Sequence, residues 1–286
     1  MPKAPRAAGA TRDFIVSRLN RLLDDALESA RLPHLGVHLE LYSGKSFYAK
    51  KLRASGLAVV AFDIQYGPEF NLNNKFVQRT ILGWIEGNLI STVWLGTPCI
   101  SWSYGLNRWP KHRVRTTEHL WGLPNLTGEQ QQKVVLGNQQ ARFSFLIIRK
   151  CTQLRIAVFL ENPARSLLFQ TKAFLKLASH PTCVCNTLSM CAFGAPWHKL
   201  TKVYTWHCES SSLSRRCCGK NGYCSFTGAK HIQLSGHSAK HKIPWTAVAA
   251  SYPKSFATVA AKIAISAAHD RYTSIIAPFF LGESFS

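Results

Sequence analysis

From Asp13 the apolar positions Phe14, Ile15, Leu19, Leu22, Leu23, Ala26 and Leu27 recur at the spacing of one helical face. They predict an amphipathic helix that ends near Arg31, before Pro33. The pattern then shortens into continuous apolar runs typical of buried strands: residues 37–42, 57–63, 91–95 and 156–160. Between them lie segments of helical period, at 47–54, 75–86 and 130–154, the last expected to break or bend at Gly137-Asn138. Strand and helix therefore alternate to about residue 176, which predicts an α/β fold: a doubly wound, mostly parallel sheet with helices on both faces. The stretch from Ser101 to Thr127 has no period and reads as a long loop, a kind that in compact domains is usually functional. Beyond Cys183 the texture turns to Cys, His, Ser and Gly with a short strand at 202–206, and an Ala-rich helix follows from Lys254 to about His269.

Composition adds a partner. In 286 residues, 35 Lys plus Arg stand against 14 Asp plus Glu, a formal net charge of +21 spread along the chain. A polyanion, most simply nucleic acid, is the natural complement. Residues 1–12, small and basic, read as a flexible arm able to lie along phosphates. No window is apolar enough to span a membrane, and the basic start lacks the apolar core of a signal peptide. An intracellular protein with no membrane partner is expected, monomeric, in the nucleus of a eukaryote or the cytoplasm or nucleoid otherwise. Nine cysteines are then free thiols, metal ligands or catalytic groups rather than a disulfide framework.

Candidate chemistry sits at strand ends, where ligands gather in open α/β sheets. Glu40-Leu41-Tyr42-Ser43-Gly44 closes the first strand and Asp63 the next. A glycine that admits a ligand to the backbone, followed some 20 residues later by an acid for ribose hydroxyls, has the logic of an adenosine site, although a full G-x-G-x-x-G is absent. Thr97-Pro98-Cys99 ends the third strand: Pro98 fixes φ and removes a donor, so the chain leaves the sheet and presents the thiol in a loop. Ser101, Arg108, Lys111, Arg113 and Arg115, interleaved with Trp102, Tyr104 and Trp109, follow it as a phosphate- and base-contacting set. Glu161-Asn162-Pro163 ends the fourth strand with a carboxyl placed to act as general acid. His38, Glu40 and Pro98-Cys99 also bring to mind the H-x-E…P-C-x-x-C pattern of zinc deaminases, but position 102 is Trp and the second thiolate is missing.

Together these residues resemble the cytosine-5 methyltransferases, phage- or protist-type members included. Glu40 to Gly44 is similar to that family's first motif, Asp63 to its ribose acid, Pro98-Cys99 to its nucleophile motif and Glu161-Asn162-Pro163 to its Glu-Asn-Val. The segment Cys191 to Lys202 resembles the one that replaces Gln-x-Arg-x-Arg, with Lys199, Thr201 and Lys202 facing DNA. The resemblance implies a class I, Rossmann-like methyltransferase that binds S-adenosylmethionine through Glu40, Tyr42, Ser43, Gly44, Asp63 and Pro98. It implies DNA as substrate, with RNA an open alternative because the ring chemistry is the same, and a silent nucleic-acid binder of the same fold as another. The expected organisation is an arm (1–12), a catalytic domain (13–202), a small target-recognition module (203–245), and a C-terminal helix that packs back, with its tail (246–286). In the module, Cys208, Cys217 or Cys218, Cys224 and His231 are either free thiols with a histidine or the ligands of a structural zinc.

Overall fold

The computed structural model describes residues 11–281, so all but the last two residues of the expected arm, and the final part of the tail, lie outside the described residues. In chain order the elements are α1 (Arg12–Glu28), β1 (Val37–Leu41), α2 (Phe47–Ala54), β2 (Ala58–Phe62), α3 (Lys75–Glu86), β3 (Ile90–Leu95), α4 (Tyr104–Asn107), α5 (Gly128–Gln153), β4 (Ala157–Pro163), α6 (Lys172–Ala178), β5 (Val184–Ser189), β6 (Leu200–Trp206), α7 (Trp245–Val248) and α8 (Lys254–Leu281). The sheet runs β2-β1-β3-β4-β6-β5. β1 to β4 are parallel, and β6 lies antiparallel between β4 and β5. This is the expected doubly wound α/β sheet, Rossmann-like, with one reversed strand. No helix among the described residues is long and apolar enough to cross a membrane.

Both faces of the sheet are buried, which is why the strands read as continuous apolar runs. On one face Val37, Leu39, Leu41, Val60, Phe62, Val93, Leu95, Val158 and Leu160 pack under α1, α3, α5 and α6. On the other, Val59, Ala61, Trp94, Ala157 and Phe159 pack under α2 and α8. Trp94 is central there, with ring centroids of Tyr48 at 4.9 Å, Phe159 at 5.3 Å and Phe256 at 5.8 Å. The two polar residues of β1 point to this same face and are held. His38 Nδ1 meets Thr92 Oγ1 at 2.6 Å, and burial pulls the imidazole down to about 3, so it is neutral. Glu40 accepts the Ala49 N–H at 2.9 Å, satisfying a donor in the first turn of α2.

Three expectations change in detail. α5 passes straight through Gly137-Asn138: a Cβ at 137 would collide with Ser101 Oγ, so the glycine makes room for the loop on the helix surface rather than breaking it. The loop 101–127 is built on two helical turns, α4 and residues 110–112. β6 continues the sheet to Trp206, past the boundary expected at 202, so a recognition module would begin after it.

Phe256 is the fully buried residue that docks α8, touching Trp94, Phe193 and Tyr252. Phe256→Ala should lower unfolding free energy by about 4 kcal/mol, measured by urea denaturation of the full chain.

Candidate active site

β1 and β3 are neighbours, but the chain leaves β1 toward β2 on one side and β3 toward β4 on the other. The strand order reverses there, and a crevice opens beyond the strand ends. Two cavities fill it, of about 560 and about 360 Å³, sharing the wall formed by Tyr42, Gly96, Pro98 and Ile100. Asp63, Ile64, Phe70, Leu72 and Asn73 line the larger; Ser43, Gly44, Cys99, Glu161, Lys199 and Tyr252 line the smaller.

The turn after β1 is tight. Tyr42 and Gly44 both take positive φ, +60° and +52°, and a Cβ at Gly44 would meet nothing within 4 Å, so its outer surface is open to a ligand. Asp63 accepts the Gly44 N–H at 2.8 Å and the Gln65 N–H at 3.1 Å, clamping this turn to the end of β2 while its carboxylate borders the larger cavity. That cavity is of a size for a nucleoside-bearing cofactor, with an acid and apolar walls together. Tyr42, Asp63 and Pro98 line this cavity, while Ser43 and Gly44 line the smaller one beside it. Glu40 lines neither: it is fully buried behind the turn on α2, where burial raises its carboxyl to about 8. Its part is to hold the helix, not a cofactor.

Cys99 and Glu161 meet in the smaller cavity because Leu95 of β3 pairs with Leu160 of β4, which ends the two strands level. Asn162 ties the ends together, its Nδ2 donating to the Thr97 carbonyl at 2.7 Å. Glu161 is almost buried; one oxygen accepts the Tyr252 hydroxyl at 3.2 Å and the other lies 3.7 Å from Lys199 Nζ. Trp94 Nε1 in turn donates to the Tyr252 oxygen at 3.1 Å, so a buried chain fixes the carboxylate from the core outward. Burial pushes the Cys99 thiol up, with nearby Lys199 pulling it down and Glu161 pushing it up. Tyr252 was missed in the sequence; a Tyr-Pro pair opening the last helix was its only trace.

The nucleic-acid set divides. Arg108 and Lys111 are exposed, Arg108 lying over the exposed Trp109 ring at 4.9 Å, and Lys202 is partly exposed on β6. Arg113 is turned back on its loop, donating to the Asn107 and Arg108 carbonyls. Arg115 cannot reach a phosphate: it is fully buried, 3.6 Å from the Trp102 ring centroid, and donates to the Ser101 carbonyl and hydroxyl, the Leu120 and Val134 carbonyls and Asn138. Ser101 is buried with it, and Thr201 is buried inside β6. Lys199 points into the pocket rather than outward.

The metal expectation is also corrected. Cys217, Cys224 and His231 do come together, but their fourth neighbour is Cys191, the four ligand atoms lying within 4.8 Å of one another. Cys208 packs instead against the α2 and α8 face, where burial raises its thiol to about 12. Cys218 is exposed and outside the group.

Two outcomes are expected. Arg115→Lys, which loses the planar fork and most of its five contacts, should destabilise the chain by about 3 kcal/mol and open 101–127 to limited proteolysis. Alkylation of Cys99 by iodoacetamide, followed by peptide mass spectrometry, should accelerate only above the usual thiol pKa of about 8.5. Glu161→Gln should move that midpoint down and Lys199→Met move it up; a wild-type midpoint below that of a free thiol contradicts the geometry.

No protein-family model and no curated protein matches the chain. Among solved structures, it is similar to the Entamoeba histolytica methyltransferase EhMeth, at 11% identity and a TM-score of 0.37, over 71% of this chain and 61% of that one. The chain thus spans less than two thirds of that protein's length.

Proposed function

We propose that the chain transfers a methyl group to C5 of cytosine in DNA. The observation that carries this reading is the meeting of Cys99 and Glu161 in one pocket at the strand-order reversal, with Lys199 and Tyr252 holding the carboxylate. A thiol and a carboxyl so paired suit addition to a pyrimidine ring. Cys99 as thiolate forms a bond to C6; the C5–C6 π pair shifts to C4–C5 and the C4–N3 π pair onto N3, where Glu161 supplies or holds the proton, leaving C5 nucleophilic. S-adenosylmethionine, bound beside Asp63 and Pro98 with the Ser43-Gly44 turn against it, would supply an electrophilic methyl group. The C5 carbon would bond to that methyl group as the methyl–sulfur bond breaks and S-adenosylhomocysteine leaves; a water base then takes the C5 proton, the C5–H pair re-forms the double bond, and Cys99 departs as thiolate.

Duplex DNA hides the ring, so the cytosine must be turned out into the smaller cavity. Ile100 borders the pocket, and exposed Tyr104, Arg108, Trp109 and Lys111 follow on the same loop, offering apolar and cationic groups to a nucleic acid. The net charge of +21 favours the polyanion as a whole.

The absence of the G-x-G-x-x-G pattern after β1, where Lys45-Ser46-Phe47 follow Gly44, favours one second reading, a protein that keeps the fold and binds nucleic acid without chemistry. A trapping experiment separates the two. Duplex DNA carrying 5-fluorocytosine, incubated with S-adenosylmethionine, should give a covalent complex stable to detergent, because fluorine at C5 cannot leave as the proton does. Cys99→Ser should abolish it and Glu161→Gln should reduce it by about 100-fold or more. Absence of trapping together with no calorimetric binding of S-adenosylmethionine would establish the silent binder; trapping on tRNA in preference to DNA would move the substrate to RNA.

A further inference from the structure

We propose that Cys191, Cys217, Cys224 and His231 hold one structural zinc ion that pins the segment after β6 to the end of β5. The four side chains come from two parts of the chain. Cys191 lies in the turn that follows β5 (residues 190–193) and is buried; Cys217, Cys224 and His231 follow at seven-residue intervals in the segment 207–245. Their ligand atoms all lie within 4.8 Å of one another, and Cys217 Sγ stands 3.9 Å from His231 Nε2. A tetrahedral ion with bonds of about 2.3 Å to sulfur and about 2.0 Å to nitrogen draws such atoms only slightly closer. Three sulfurs and one imidazole select zinc over calcium or magnesium, and four protein ligands leave no open position, so the site is structural rather than catalytic.

The surroundings are those of a built site. The Ser225 N–H points at Cys217 Sγ at 3.3 Å and its hydroxyl at 3.5 Å, contacts that steady a thiolate. Cys217 N–H donates to Ser189 Oγ at 3.1 Å, and that same oxygen meets His198 Nε2 at 3.2 Å. The chain through Cys224 is folded into a tight hairpin: Cys224 N–H donates to the Ala229 carbonyl and His231 N–H to the Gly222 carbonyl. Three thiolates around a divalent ion leave one negative charge, and the same segment carries Arg215, Arg216, Lys220 and Lys230. A disulfide would pair two of the three thiols and strand the third beside the imidazole.

There is also a physical need for the ion. Between His207 and Trp245, Leu213 and Cys224 are the only buried apolar side chains, while Tyr223, Phe226 and Ile243 are exposed. So little buried surface does not order a segment of this length. A metal fixes it at one point, and binding energy becomes folding energy. The fixed point matters because the segment leads directly into Ala247, Ala250, Ser251 and Tyr252, which wall the smaller cavity.

The test uses the full chain and does not depend on methyl transfer, so it stands or falls apart from the proposed reaction. Elemental analysis of protein purified without chelator should give one zinc per chain. Cobalt(II), offered alone to chelator-treated protein, should give the strong visible bands of a tetrahedral thiolate site and be displaced by zinc. Cys217→Ala and Cys224→Ala should lose the metal, whereas Cys208→Ala and Cys218→Ala should keep it. If the ligand variants fail to fold, the wild-type cobalt spectrum still decides. Chelator treatment should expose residues 207–245 to protease, with zinc restoring protection. A folded chain that takes up neither ion, a disulfide found between two of Cys191, Cys217 and Cys224, or metal retained in the ligand variants and lost from Cys208→Ala would overturn the assignment.

Discussion

A parallel sheet buried on both faces has to be covered on both, and here the second cover is supplied from the far end of the chain. α2 is too short, at eight residues, to shield Trp94 and Phe159 alone, and α8 completes the layer through Phe256 and its alanines. The small side chains let the long helix sit close over the indole. Everything at the pocket follows from that closure. The residue that begins the approach to α8 is Tyr252, and its hydroxyl reaches Glu161 with support from Trp94. Packing of the back face and orientation of the carboxylate are thus one arrangement.

The front of the site has a different support. The loop after Cys99 is ordered by a charge placed inside it. Arg115 gathers three carbonyls, a hydroxyl and an amide oxygen and stacks on Trp102, so the guanidinium performs the work of a small core. Asn107 adds to it by accepting the Val114 and Arg115 N–H groups. The cations left on the outer surface of this loop, Arg108 and Lys111, are free to meet solvent or a polyanion because Arg115 is not among them.

Local pattern made the sheet and most helices readable: 47–54 and 75–86 appear with the expected bounds, each defined by a buried stripe and the second also by its Asn74 cap. Strand ends were equally readable, because Pro98 and Pro163 mark where the chain leaves the sheet. What stayed hidden depends on tertiary proximity. Nothing near Arg115 in the sequence tells that its guanidinium folds inward, and Glu40 looks like a site acid until the α2 N–H group it accepts is known. Gly137 reads as a helix breaker because its collision partner, Ser101, is 36 residues away. Cys191 gives no local sign of its companions for the same reason: they lie beyond a strand and a loop. Lys199, expected to face DNA, instead lines the pocket beside Glu161, a placement that depends on β6 running antiparallel beside β4.

The burial that raises the Cys99 thiol has a further effect. Peroxide oxidises thiolates to sulfenic acid far faster than it oxidises thiols, and sulfinic and sulfonic acids beyond that are not readily reversed. A sulfur kept protonated in the resting pocket is a poor target for such damage. Under the proposed reaction the same desolvation would lengthen the chemical lifetime of the Cys99 sulfur, and the reactive form would be needed only while a base occupies the cavity.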